Sequence, residues 1–142
     1  DVILQESSEV IGEVTITAKQ IKNTETALLR MKQKSATMMD GISSKQIARM
    51  SDGNAAAAAK RISGVSVQGG KYVSVRGLGD RYSLTTLNGA EIPSLDPDKN
   101  AVQMDMFPSN IIENIKVTKT LTPNIPASAT GGYIDIVTRD FP

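Results

Sequence analysis

Few groups in this chain can do chemistry, and their spacing decides how to read them. Gly77-Leu78-Gly79-Asp80-Arg81 invites comparison with a phosphate-binding loop. Such a loop opens directly into a helix, whose N-terminal amides face the phosphates. Here no third glycine and no Gly-Lys-Ser follows, and Ser83 to Leu87 is β-prone. A flexible structural turn is the better reading, and a nucleotide-dependent transferase rests on this loop alone. Asp96-Pro97-Asp98 has the start of a calcium loop without its later ligands and glycine spacing, so it reads as a solvated turn. Asp80 with Asp96 or Asp98 would suit hydrolysis, but nothing in the spacing pairs these carboxylates. Arg76 and Arg81 flank the glycine loop, with Lys71 before them. They either contact a ligand or partner through bidentate hydrogen bonds or form salt bridges with nearby acids, and the salt bridge is slightly favoured. The six methionines (Met31, Met38, Met39, Met50, Met104 and Met106) read as gap-filling core.

Composition narrows the chemistry further. The 142 residues include no Cys, His or Trp, and the charge is +1. There is thus no disulfide, thiolate nucleophile, zinc–sulfur site, Ser-His-Asp triad or imidazole ligand. No cofactor and no metal is expected, and the chain does not read as an enzyme. The near-neutral balance argues against nucleic acid as a partner. No stretch approaches the roughly 20 apolar residues of a spanning helix. Asp1-Val2-Ile3-Leu4 lacks a basic region followed by an apolar core, so no signal peptide is visible. The chain begins without Met and reads as a fragment of a longer precursor, so the missing signal says little about location.

The elements that must position these groups follow from local pattern. Val10-Ile11 and Val14-Thr15-Ile16-Thr17 are β-prone pieces in a loosely organised arm, which needs a partner strand or stays mobile. Thr24 to Lys34 leans to helix, although an edge strand also fits, and a strand is expected near Ala36 to Met39. Ser43 with Gln46 forms a capping box for a short helix through Ile47 and Met50. Asn54 can cap a second helix over Ala55 to Ile62, stopped at Gly64. Val65-Ser66-Val67 and Tyr72 to Val75 alternate around a Gly69-Gly70 turn. Ser83 to Leu87 turns through Asn88-Gly89 into Ala90-Glu91-Ile92. A turn of helix from Pro108, a strand Ile115 to Thr118, a Gly131-Gly132 turn and a strand Tyr133 to Val137 complete the chain. Helices first, then strands with small helical insertions, predicts an α+β fold rather than a doubly wound sheet.

These motifs in this order, from Ser43 to Pro142, resemble the plug domain of TonB-dependent outer-membrane receptors. The resemblance rests on Ile62-Ser63-Gly64-Val65-Ser66-Val67, Val73-Ser74-Val75-Arg76-Gly77-Leu78-Gly79-Asp80-Arg81-Tyr82 and Thr86-Leu87-Asn88-Gly89-Ala90-Glu91-Ile92-Pro93-Ser94. It continues through Phe107 to Val117 with Lys119, and ends on Gly131-Gly132-Tyr133-Ile134-Asp135-Ile136-Val137-Thr138. The subtype is similar to the large receptors of Bacteroidetes-like bacteria, which often carry a small β-sandwich before the plug. Asp1 to Gln5 resembles the tail of such a module. Glu13-Val14-Thr15-Ile16-Thr17-Ala18 resembles the TonB box, with Val10-Ile11 as a competing register and an ordinary first plug strand as the other reading.

The resemblance implies a small mixed β-sheet with short helices, a mobile N-terminal arm over 1–23 and a plug over 24–142. The plug would fill a C-terminal barrel of about 22 strands. It implies a gate that couples cargo binding to opening driven by the TonB C-terminal domain, located in the outer membrane with the arm in the periplasm. The partners would be that barrel, TonB and an imported substrate of unknown identity. Glu13, Val14, Thr15, Ile16, Thr17 and Ala18 would pair with TonB by strand addition. The substrate-facing loops would carry Gly69, Gly70, Lys71, Leu78, Gly79, Asp80, Tyr82, Leu95, Asp96 and Asp98. Arg76 and Arg81 would contact acidic residues of the barrel wall. The rival is a free-standing plug-like module docking to a partner barrel in surface secretion or signalling.

Overall fold

The computed structural model describes residues 24–35, 38–99 and 101–140. The box-like segment Glu13 to Ala18, Ala36 and the Asp80 side chain lie outside the described part. Helix α1 (Glu25–Lys34) leads to strand β1 (Met39–Ser43), then helices α2 (Ser44–Arg49) and α3 (Ala55–Ala59). A hairpin of β2 (Val65–Gln68) and β3 (Tyr72–Val75) follows. Then come β4 (Ser83–Leu87), β5 (Ala90–Glu91), β6 (Ile112–Thr118) and β7 (Gly132–Thr138). Three 3-10 turns, Asp80–Tyr82, Met104–Met106 and Ser109–Ile111, join these elements.

The main sheet runs β1-β6-β7-β4-β5, and β2 with β3 forms a separate two-stranded layer. Only β4 and β7 run parallel; the other neighbours are antiparallel. This is the mixed α+β arrangement that the order of motifs predicts. The core lies between the sheet and the layer of α2, α3 and the hairpin. Ile42, Ile112, Ile115, Val117, Ile134 and Ile136 meet Ile47, Val73, Val75 and Met104 there. Alanines 55, 56, 58 and 59 are buried, and their small side chains let α3 lie close to its neighbours.

Local signals place several elements directly. The Ser43 hydroxyl accepts from the Gln46 amide, and the Gln46 side chain reaches back to the Ser43 N–H, so the capping box forms. Asn54 caps α3 through the Ala57 N–H at 2.9 Å. The Asn88-Gly89 turn has positive φ at both residues and joins β4 to β5. Of the stretch Thr24 to Lys34, residues Glu25–Lys34 are helical, with Ala27 and Leu28 buried.

Other expectations shift. The first described strand is Met39–Ser43, paired with Asn114 to Thr118; of the expected strand Ala36 to Met39, Met38 lies before it and 36–37 lie outside the described residues. Helix α3 ends at Ala59 and continues to Ile62 only as turns. Gly132 belongs to β7 and not to a turn. Of the six methionines only Met104 is fully buried; Met38, Met50 and Met106 are exposed. Met38 lies just before an edge strand, and Met50 and Met106 lie on turns at the rim of the core. The salt-bridge reading of Arg76 and Arg81 also fails among the described residues. The salt bridges there join Asp40 to Lys32 and Lys119, and Asp52 to Arg61.

Candidate functional site

Register collects the candidate loops at one end of the sheet. Ser83 opens β4 opposite Gly132, which opens the parallel β7. Tyr133 faces Thr118 at the end of β6, and Thr118 faces Met39 at the start of β1. The segments 76–82, 119–131 and 92–99 therefore share that end. The Gly77–Gly79 loop opens into a 3-10 turn and then β4, with no helix behind it to hold phosphate.

Tyr72 ties two of the candidate loops together. Its hydroxyl donates to Asp96 Oδ2 at 3.3 Å and accepts from Gln103 Nε2 at 3.2 Å. The Lys99 ammonium stands 4.1 Å from its ring centroid, a cation–π geometry. The Met104 N–H donates to the Lys71 carbonyl at 2.8 Å, so the hairpin tip is fastened from both sides. The Ser94–Lys99 loop is also braced within itself: Ser94 Oγ donates to the Ala101 carbonyl at 3.0 Å, and Asp96 Oδ1 accepts from the Asp98 N–H at 3.1 Å.

The third candidate loop joins the same face. The Gly131 N–H donates to the Tyr82 carbonyl at 2.6 Å. A Cβ on Gly131 would sit 2.8 Å from Tyr82 Cβ and 3.0 Å from Leu78 Cδ1, so only glycine lets the loop close on β7. Arg81 and Ser94 line one shallow cavity of about 240 Å³. These contacts join Lys71 and Asp96 through Tyr72 and Met104, and Leu78 and Tyr82 through Gly131; Gly69, Gly70, Gly79, Leu95 and Asp98 stand in the same loops. Leu78, Tyr82 and Leu95 are solvent-exposed.

Tyr72, Gln103 and Ser128 belong to this face and were not among the expected site residues. Tyr72 is masked in the sequence by its place in an alternating strand. Its position directly after Gly69-Gly70-Lys71 is the signal that marks it. Gln103 and Ser128 carry no local signal, since chain crossings alone bring them there. Among the described residues no group of three or more Asp or Glu is placed to hold a metal ion.

The N-terminal attachment lies on β1. Leu28 packs toward Gly41, where a Cβ would lie 3.5 Å from its Cδ2 and 2.9 Å from the Ile115 carbonyl oxygen. Gln46 donates to Glu25 at 2.9 Å. Asp40 accepts from Lys32 of α1 and from Lys119 beyond β6. These two ammonium groups, Lys119 foremost, hold the Asp40 carboxyl below its ordinary range. A cavity of about 120 Å³ lined by Leu28, Leu29 and Met39 remains beneath α1. Helix α1 is the first described element after the box-like segment, and it is joined by a few side chains over a gap.

A small mixed sheet, a separate hairpin layer and loops gathered at one end define a plug. The TonB-dependent Receptor Plug Domain family matches residues 31–133, and the chain belongs to it. No curated protein matches the chain. Its fold is similar to part of several solved siderophore receptors. It superposes on the ferric enterobactin receptor PfeA of Pseudomonas aeruginosa with a TM-score of 0.57 at 20% identity, covering 75% of this chain and 18% of that one. For the siderophore receptor PirA of Acinetobacter baumannii the TM-score is 0.58 at 18% identity, covering 78% and 18%. For the alcaligin receptor FauA of Bordetella pertussis it is 0.59 at 14% identity, covering 75% and 19%. The chain thus spans less than a fifth of the length of these receptors.

Proposed function

We propose that this chain is the gate of a TonB-dependent outer-membrane transporter. It occludes a β-barrel lumen and opens when TonB pulls on the segment Glu13 to Ala18. The family match over residues 31–133 carries this reading. The gathered loops support a cargo-facing end, and the lightly held α1 supports a tether entry. Arg76 and Arg81 are exposed and form no ion pair among the described residues, which suits contacts outside the chain such as wall carboxylates. The work is mechanical, and no catalytic step is assigned. The plug sits in the outer membrane with its arm in the periplasm. The neighbouring structures are named as siderophore receptors, so ferric siderophores are the first cargo to test.

The test is titration of the chain with the TonB C-terminal domain. Binding is expected, and deletion of Glu13 to Ala18 is expected to remove it. Undiminished binding after the deletion would overturn the box assignment. No observation favours a free-standing module docking to a separate barrel.

A further inference from the structure

We propose that Asn88-Gly89 is a self-modifying site, where the asparagine amide is lost to give aspartate or isoaspartate, and that the fold withholds this reaction until the turn detaches from β7. The pair lies at the end of the sheet opposite the gathered loops, and it is the only Asn-Gly in the sequence. Glycine leaves its backbone nitrogen uncrowded by a side chain. That nitrogen gives up its proton and attacks Asn88 Cγ, and the side-chain nitrogen takes up a proton and leaves as ammonia. A five-membered succinimide remains. Water then opens it at either carbonyl. One product is aspartate; the other is isoaspartate, with the main chain rerouted through the side chain.

The native turn opposes ring closure in three ways. With φ of 53° at Asn88 and 82° at Gly89 it is a type I′ turn. There ψ of the first central residue is about +30°, which sets the Gly89 nitrogen across the Cα–C bond from Cβ. The ring closes only with both on the same side. The Asn88 amide is also held: Nδ2 donates to Thr138 Oγ1 at 2.8 Å, and Oδ1 accepts from the Thr138 N–H at 2.9 Å. Finally, the Gly89 N–H donates to Asp135 Oδ1 at 3.0 Å, and a carboxylate there disfavours the amide anion that would attack. The Asn88 N–H adds a bond to the Ile136 carbonyl at 2.9 Å. All of these partners belong to β7, so the twist that closes the ring must first free the turn from that strand. Asn88 and Gly89 are exposed, and water reaches the succinimide without further unfolding. The two products differ in consequence. Asp-Gly suits a type I′ turn as Asn-Gly does, whereas isoaspartate lengthens the main chain and breaks the register of β5 on β4.

This inference goes beyond the gate reading and does not depend on it. The chain is aged in mildly alkaline buffer, folded and in urea, and the fragment holding Asn88 is followed by mass spectrometry. The mass change reports amide loss and is blind to isomerisation at Asp40-Gly41 and Asp52-Gly53. The folded chain should lose the amide at least about tenfold more slowly than the unfolded one, because several hydrogen bonds must break first. T138V removes one hydroxyl but keeps the backbone bond and a β-branched side chain. It should speed the loss in the folded chain about fivefold, the weight of one such bond, and leave the rate in urea unchanged. Hydrogen exchange in β5 should quicken in the aged chain and not in N88D. Equal rates folded and in urea, no amide loss in urea, a folded T138V rate like that of the parent, or aged β5 exchange like that of N88D would overturn the proposal.

Discussion

A methyl group at Gly132 would lie 2.7 Å from Val75 Cβ and 2.8 Å from both its methyl groups. The approach of β3 onto β7 therefore requires the absence of a side chain there, and Val75 is fully buried with no space to yield. Gly132→Ala should cost about 1–3 kcal/mol through overpacking, read as a lower urea midpoint with an unchanged slope. A midpoint equal to that of the parent would show that the hairpin layer shifts freely. Gly132 also marks a limit of sequence reading. Beside Gly131 it has the composition of a turn, and only the partner strand shows that it is a packing glycine. Tyr72 is the same kind of case, an ordinary strand residue by pattern whose hydroxyl and ring hold three segments together.

At the scale of elements, α1 depends on Asp40. This carboxylate is stabilised as an anion by Lys119 and Lys32, so its folded pKa lies below the ordinary value of 3.8. A depressed carboxylate pKa gives stability that is present above the unfolded value and lost as pH falls through the folded one. The clasp is therefore intact at neutral pH and weakens only below about pH 3.8. Asp40→Asn should imitate that acid state at neutral pH and cost about 0.5–1 kcal/mol, the scale of a partly exposed ion pair. Hydrogen exchange should quicken in α1 before it quickens in β6 or β7. Uniform quickening across the sheet would show that α1 is not a separate unit. Local chemistry made much of this level legible. The Ser43–Gln46 box, the Asn54 cap and the Asn88-Gly89 turn are each complete within a few residues. The limits of β1 and the burial of the methionines were not legible, because partners far along the chain decide them.

At the scale of the whole molecule, the core is lean. Four of its members are alanines of α3, and its largest side chains are isoleucines and Met104. Apolar burial at about 25 cal/mol per Å² rewards such small side chains little. Within a barrel, contacts with the wall would add to this core. On the proposed reading, the chain alone should therefore unfold at a lower denaturant midpoint than the same domain enclosed by a barrel. Equal midpoints would show that the core alone sets stability. The fold class was legible because turns and alternating strands succeed one another in a recognisable order. The shared loop face was not, because it depends on the parallel register of β4 and β7.

Strand β1 has its sheet neighbour near the other end of the sequence: Asp40 and Lys119 are 79 residues apart. Closing a loop of that length is entropically costly, and folds rich in distant pairings form slowly. A polypeptide released amino end first exposes β1 with nothing to pair against until β6 has followed. Strand β4 waits until later still, because its parallel partner β7 is the last of these strands to be made.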